Sequence, residues 1–264
     1  MLHKTRGIVF QVTDFRETSV VAKIYTELFG LQGYIINSVR KKNARIRQNA
    51  LHPLSLVDLV VYHKTAESSH KGLHRIAEIR PNPVLQNIPF DVRKSSIALF
   101  LDEVLCKAIK EEESNPLMFD FLFQSVQLLD LQTPVNNDFH IYFLMWLTKY
   151  LGFFPQVGAE REKGKKGEGE EAAGAIHPTF SDSYFNLQEG IFQFTIPIHP
   201  YYVEPPLTDV FKKVLQSPIQ LAGSLGITVA EKRMLTEKIL EYYQLHLPSF
   251  PEIKSRKVLE EVWS

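Results

Sequence analysis

The hydrophobic period of this chain changes once, near Phe90, from 2 to 3.6, so one polypeptide has to hold two kinds of architecture. Before the change, "RGIVFQVTDF", "SVVAKIYTEL", "GLQGYIINSVR", "LSLVDLVVYHK" and "GLHRIAEIRP" are short runs rich in Val, Ile, Phe, Tyr and Thr. Their spacing predicts five strands, with "DFRET" turning between the first two, and Gly30 and Gly33 marking a turn before a strand over Tyr34 to Val39. Five strands in about 80 residues, with no helical period between them, point to a small closed barrel such as an OB-fold.

After the change, "DVRKSSIALFLDEVLCKAIKEEE" sets Ile97, Leu101, Leu105 and Ile109 on one stripe and predicts a helix of about five turns. A second helix starts with Pro116 at its first position, and a third, "NDFHIYFLMWLTKYLGFFP", is apolar nearly all round and stops at Gly152 and Pro155. "GAEREKGKKGEGEEAAGA", residues 158–175, has no large apolar side chain and predicts a flexible surface loop. "SYFNLQEGIFQFT" reads as a small hairpin around Gln188-Glu189-Gly190, and three more helical stretches follow it. The expected fold is α+β. It comprises an OB-fold barrel over 1–80, a helical bundle over 81–155, a β-hairpin subdomain with its loop over 156–200, and C-terminal helices over 201–264 completing the helical domain.

The 264 residues are formally neutral, yet residues 1–80 hold 13 Lys and Arg against 6 Asp and Glu, a formal +7. The whole chain has 30 of each sign, so the remainder carries −7. A basic module on an acidic body is the pattern of a local polyanion-binding surface. Its densest part is "SVRKKNARIRQN", where Arg40, Lys41, Lys42, Arg45 and Arg47 occur with no acidic residue among them. Lys4, Arg6 and Lys23 are weaker candidates on the same domain. Such cations gain affinity for phosphates by releasing counterions, and exposed aromatics of a barrel can stack on bases. Phe15, Tyr25, Phe29, Tyr34 and Tyr62 are the candidates for that, although a barrel this small also needs aromatic core. Charge does not separate DNA from RNA or from an acidic protein partner, so an RNA-binding OB protein and a protein adaptor both stay open.

Enzyme signatures are missing. The chain contains no GxxxxGK[ST], no GxGxxG after a strand, no HExxH and no GxSxG. His140 in the apolar helix reads as a core histidine, and His177, His199 and His246 have no carboxylate or thiol at ligand spacing. The single cysteine, Cys106, reads as a packed thiol and precludes an internal disulfide, which favours a reducing, cytoplasmic setting. No apolar run approaches bilayer length, and the first residues lack a leader's apolar stretch, so neither membrane insertion nor secretion is expected. No cofactor is called for.

"KTRGIVFQVTDFRETSVVAKIYTELFGLQGYIINSVRKKNAR", followed by "LHPLSLVDLVVYHK", resembles the N-terminal OB domain of the RecO family of bacterial recombination mediators. The likeness lies in the Gly-Ile-Val strand, the turn with Asp14, Phe15 and Glu17, the step from Thr26 to Gly30, and a basic stretch ahead of an apolar strand. "YLGFFPQ" is similar to that family's exit from its central helix, and "RMLTEKILEYYQLHLPSFPEIKSRKVLEEV" to its closing segment. The resemblance implies a non-catalytic, nucleoid-associated protein that binds single- and double-stranded DNA and anneals complementary strands. With RecR, it would load RecA on DNA covered by single-strand binding protein, whose acidic tail it would also bind. Many members place Cys-x-x-Cys zinc ligands after this exit, whereas Val157-Gly158 and the Gly/Lys/Glu loop stand here. Residues 156–200 are therefore expected to be a degenerate zinc-finger-like subdomain without metal, held by Tyr184, Phe185, Ile191, Phe192 and Phe194.

Overall fold

The computed structural model describes residues 1–37, 39, 51–62, 73–156 and 183–262. Five strands, β1 (Leu2–Phe15), β2 (Ser19–Thr26), β3 (Gly30–Ile36), β4 (Leu56–Tyr62) and β5 (Leu73–Pro81), close into a barrel of order β1-β2-β3-β5-β4. All neighbours are antiparallel except β3 and β5, which run parallel. This is the expected OB-type barrel. Alternate residues face inward, and Val9, Ala22, Ile24, Tyr34, Val57, Leu59, Val61 and Ile79 fill the interior. Gly7 sits where that interior is narrowest: a Cβ there would lie 2.7 Å from Ile24 Cγ2 and 2.9 Å from Leu59 Cδ1.

Residues 1–135 with 251–264 form one compact unit, and residues 136–250 form another. The first holds the barrel with α1 (Val92–Ala108), α2 (Pro116–Leu131) and α6 (Arg256–Val262). Asp91 caps α1 by accepting from the Arg93 and Lys94 N–H groups, and Asn115 caps α2, with Pro116 at its start as read from the sequence. The connection from barrel to helices is held by Asp130, whose carboxylate accepts the backbone N–H groups of Gln86, Asn87 and Ile88 at 2.7–2.9 Å. Buried Lys94 donates to the carbonyl oxygen of the same residue at 2.6 Å.

Several boundaries differ from those read in the sequence. The third strand begins at Gly30 rather than Tyr34, and Gly33 lies inside it, paired with Lys23 on one side and Leu73 on the other. Helix α1 stops at Ala108, short of the acidic run, because Glu111 to Glu113 would have put three negative charges at the negative end of the helix dipole. Their backbone instead lies along the barrel edge. The Glu111 carbonyl accepts from Leu31 N–H at 3.1 Å and the Glu112 carbonyl from Gln32 Nε2 at 3.2 Å. Gly30, at φ +64°, makes room for the Glu113 carbonyl, which occupies the place a Cβ would take.

The second unit is built on α3 (Phe139–Leu151), whose near-complete burial matches its all-round apolar sequence and which ends at Gly152 in the left-handed region, φ 89°. Around it stand α4 (Leu207–Gln216), α5 (Val229–His246) and a three-stranded sheet of β6 (Tyr184–Asn186), β7 (Ile191–Gln193) and β8 (Tyr202–Val203), ordered β7-β6-β8. The β6–β7 hairpin is the one expected; β8, two residues flanked by prolines, has no strand signature in sequence. Asp138 is buried, pairs with Lys232 at 2.5 Å and accepts from Leu225 N–H. The residues of the 158–175 loop lie outside the described residues.

The short C-terminal helix α6 returns to α1 through Glu103. Its carboxylate takes hydrogen bonds from Lys107 Nζ, from the backbone N–H groups of Lys254 (3.0 Å) and Ser255 (2.7 Å), and from the Ser255 hydroxyl. Burial alone would raise this carboxyl, but those four donors outweigh it and hold it at about 2. A depressed carboxylate stabilises the fold above its unfolded value, near 4.5, and that contribution is lost as pH falls through about 2. Glu103→Gln is therefore expected to cost on the order of 2 kcal/mol at pH 7. Urea melts of both proteins should show the gap shrinking steadily below about pH 4.5.

Candidate nucleic-acid interface

The outer wall of the barrel divides into a covered and an open part. Ile8, Phe10 and Tyr25 point outward yet are fully buried. Phe10 stacks on Tyr25 at 5.8 Å, and Tyr25 on Phe119 of α2 at 6.2 Å. Tyr34 is buried on the inside against His74, and Phe29 packs on the core beside His3. Tyr34 is therefore shut off from a base by the barrel wall and Tyr25 by α2, while Phe29 is partly buried. Phe15 is half-buried under the Arg16 guanidinium, 5.1 Å away. Tyr62 alone of the five has a broadly exposed ring, at 46%.

The candidate cations fall into three groups. Lys4 and Lys23 are exposed on the barrel wall, Lys4 opposite Val60 of β4 and Lys23 between Gln11 and Gly33. They stand on different stretches of it, for Lys23 lies close enough to α1 to act electrostatically on Cys106. Arg40, Lys41, Lys42, Arg45 and Arg47 lie outside the described residues. The chain leaves the described barrel at Val39 and re-enters at Leu51, and both are buried in the barrel core.

Arg6 is engaged by two carboxylates. Its guanidinium donates twice to the Glu27 carboxylate, at 2.8 and 2.9 Å, and once to Asp120 of α2, at 3.0 Å. It also sits over the rings of Phe119 and Phe123, 5.1 and 4.9 Å from their centroids. The hydrogen bonds to Glu27 raise the Arg6 pKa still further and lower that of Glu27. Two carboxylates thus neutralise its charge, and it joins barrel to helix rather than offering a free cation to phosphate.

His140 is buried, shares a 3.2 Å hydrogen bond with Thr236, and is pushed down to about 4 by burial. Burial likewise pushes the Cys106 thiol up to about 12, which leaves it protonated and unreactive at neutral pH. A groove of about 880 Å3 beside the barrel, lined by Pro53, Pro83, Val84, Phe90 and Leu99, carries a single titratable group, His52. No helix among the described residues is long and apolar enough to cross a membrane.

Comparison with known proteins gives this layout a family. Residues 1–81 match the family described as "Recombination protein O N terminal", and residues 89–257 match "Recombination protein O C terminal". The chain belongs to the recombination protein O family. Three relatives are each called "DNA repair protein RecO": one from Azobacteroides pseudotrichonymphae is 30% identical, and those from Bacteroides fragilis and Flavobacterium johnsoniae are 31% identical. The alignments cover 99–100% of this chain and of each relative. The recombination protein O barrel is thus the OB domain, and the family and its relatives' names set the chain in DNA repair and recombination.

The place where the RecO resemblance would put zinc ligands, after the "YLGFFPQ" exit, lies outside the described residues. Among the described residues no three His, Cys, Asp or Glu side chains come together as a ligand set. The small sheet packs through rings: Phe185 lies 4.5 Å from Phe211, 4.9 Å from Phe192 and 5.6 Å from Tyr242. His246 bonds through Nε2 to the Leu187 carbonyl and stacks on Phe153, and His199 Nδ1 accepts from Tyr201 N–H.

If Arg6 is a joint, its replacement must affect stability and not DNA affinity. Arg6→Lys loses the bidentate geometry and its stacking over both rings, and is expected to cost on the order of 2 kcal/mol in urea unfolding. Single-stranded DNA affinity and its salt dependence should stay at wild-type values at temperatures where the variant is folded.

Proposed function

We propose that the barrel binds single- and double-stranded DNA through phosphate contacts from Arg40, Lys41, Lys42, Arg45 and Arg47, with Lys4 and Lys23 as outlying contacts. The observation carrying this reading is the meeting of two facts. A recombination protein O OB domain bears a formal +7 within an otherwise acidic chain, and its densest cations follow β3 with no carboxylate among them. Arg6 is left out because Glu27 and Asp120 hold it.

Phosphate contact without base readout is what strand annealing requires. Two complementary strands repel each other, and a cationic surface lowers that repulsion without selecting a sequence. In this reading the protein is a non-catalytic mediator. It anneals complementary strands and, with RecR, helps place RecA on single-stranded DNA covered by single-strand binding protein, whose acidic tail it engages. The work takes place on the nucleoid in the cytoplasm.

Replacing Arg40, Lys41, Lys42, Arg45 and Arg47 together by Gln tests the assignment. For single strands, each cation withdrawn from a phosphate lowers the salt slope by about 0.7. Fluorescence anisotropy across a salt series should therefore show weaker binding with a slope shallower by about 2 to 3.5 and an almost unchanged melting temperature. An unaltered slope would sink the role of this segment.

A further inference from the structure

The open part of the barrel wall is organised. Pairing sets Leu2 opposite Tyr62, Tyr62 opposite Arg75, and Arg75 opposite Ile35, a row running across β1, β4, β5 and β3. Directly paired residues project to the same face of a sheet, and the exposure of Leu2, Tyr62 and Arg75 makes that face the outside. Lys4, opposite Val60, is the diagonal neighbour of Tyr62 on this face, at a spacing of about 7–8 Å between strands. The ring of Tyr62 therefore lies between two cations.

Neither Lys4 nor Arg75 is paired with a carboxylate among the described residues. Of the acidic residues on the same wall, Asp58 lies further along, in the row of Arg6 and Arg80, whereas Glu78 stands opposite Val60, in the row of Lys4 and diagonal to Tyr62. Asp58 accepts from Asn82 Nδ2 at 2.7 Å, and Glu78 faces Arg80 at 3.7 Å. The row also adjoins the basic segment along the chain: Ile35 is the penultimate residue of β3, and Arg40 comes five residues later.

We propose that Tyr62 is a stacking platform for an unpaired base, with Arg75 and Lys4 holding the flanking phosphates, so that a single strand crosses the β1–β4–β5 wall. This deepens the DNA-binding reading above and rests on it. An exposed aromatic residue between cations that pair with no carboxylate among the described residues matches the chemistry of a single strand, whose bases offer open faces and whose backbone offers regularly spaced charge. A duplex keeps its bases stacked internally, so it can use the cations but not the ring. The platform therefore separates single strands from duplex, which the basic segment alone cannot do.

The test uses the full chain with a labelled oligo-dT and a duplex of the same length. Tyr62→Ala should weaken oligo-dT binding by about tenfold with an unchanged salt slope, and should leave duplex binding as it was. Tyr62→Phe should bind oligo-dT like the wild type, and Arg75→Gln should lower the single-strand slope by about 0.7. In the unsubstituted protein, irradiation of an oligonucleotide carrying 5-iododeoxyuridine should crosslink to Tyr62, as read by mass spectrometry. Wild-type oligo-dT affinity in Tyr62→Ala, an equal loss on duplex, or crosslinks confined to other residues would each overturn the platform. If that happened while the five-cation variant still lost affinity, the phosphate-binding reading would stand; if the wild type showed no salt-dependent oligo-dT binding, both would fall.

Discussion

Arg6 is the joint on which the first unit is organised. A closed barrel has a continuous outer wall, and Ile8, Phe10 and Tyr25 make part of this one apolar, so something has to cover it. Helix α2 does so with Phe119, and Arg6 fixes the seat: its plane lies over the rings of Phe119 and Phe123 while its edge reaches Glu27 and Asp120. Phe119 and Phe123 are four apart and share a helix face, so one guanidinium can lie over both. With α2 seated there, the acidic segment ahead of it runs along the start of β3, and Ser114 donates to the Glu27 carbonyl at 2.7 Å. The same joint divides the wall, for the surface beside β4 and β5 stays open.

The barrel was legible in the sequence because its signals are local. Alternation and turn residues occur within each strand, and helical stripes, Pro116 and Gly152 are likewise read within a few residues. What sequence reading missed depends on partners far along the chain. Arg6 meets Glu27 21 positions away and Asp120 114 away, and nothing near Arg6 distinguishes it from Lys4. The early end of α1 depends on carbonyls meeting β3, and Glu103 holds a C-terminal segment 152 positions on. Strand parity would have separated Tyr62 from Tyr34, since β4 has an inward series of Val57, Leu59 and Val61 that places Tyr62 outside, but not from Tyr25, which also points outward and is covered by Phe119 far along the chain.

The chain separates its tasks by charge as well as by fold. The barrel carries the positive excess and the open wall, while in the unit of residues 136–250 the buried Asp138 is paired with Lys232. Its small sheet is packed through rings, with Phe185 against Phe192 and Phe211. A protein that handles DNA without reading sequence needs little more than such a cationic surface on a stiff support, and the barrel supplies the stiffness.

Hydrogen exchange with and without bound single-stranded DNA tests that localisation directly, since protection reports which backbone becomes ordered or shielded. New protection is predicted in residues 38–62 and 73–76, with exchange across 136–250 unchanged. Protection confined to 136–250, with the barrel exchanging as it does in the free protein, would contradict a barrel-borne DNA surface.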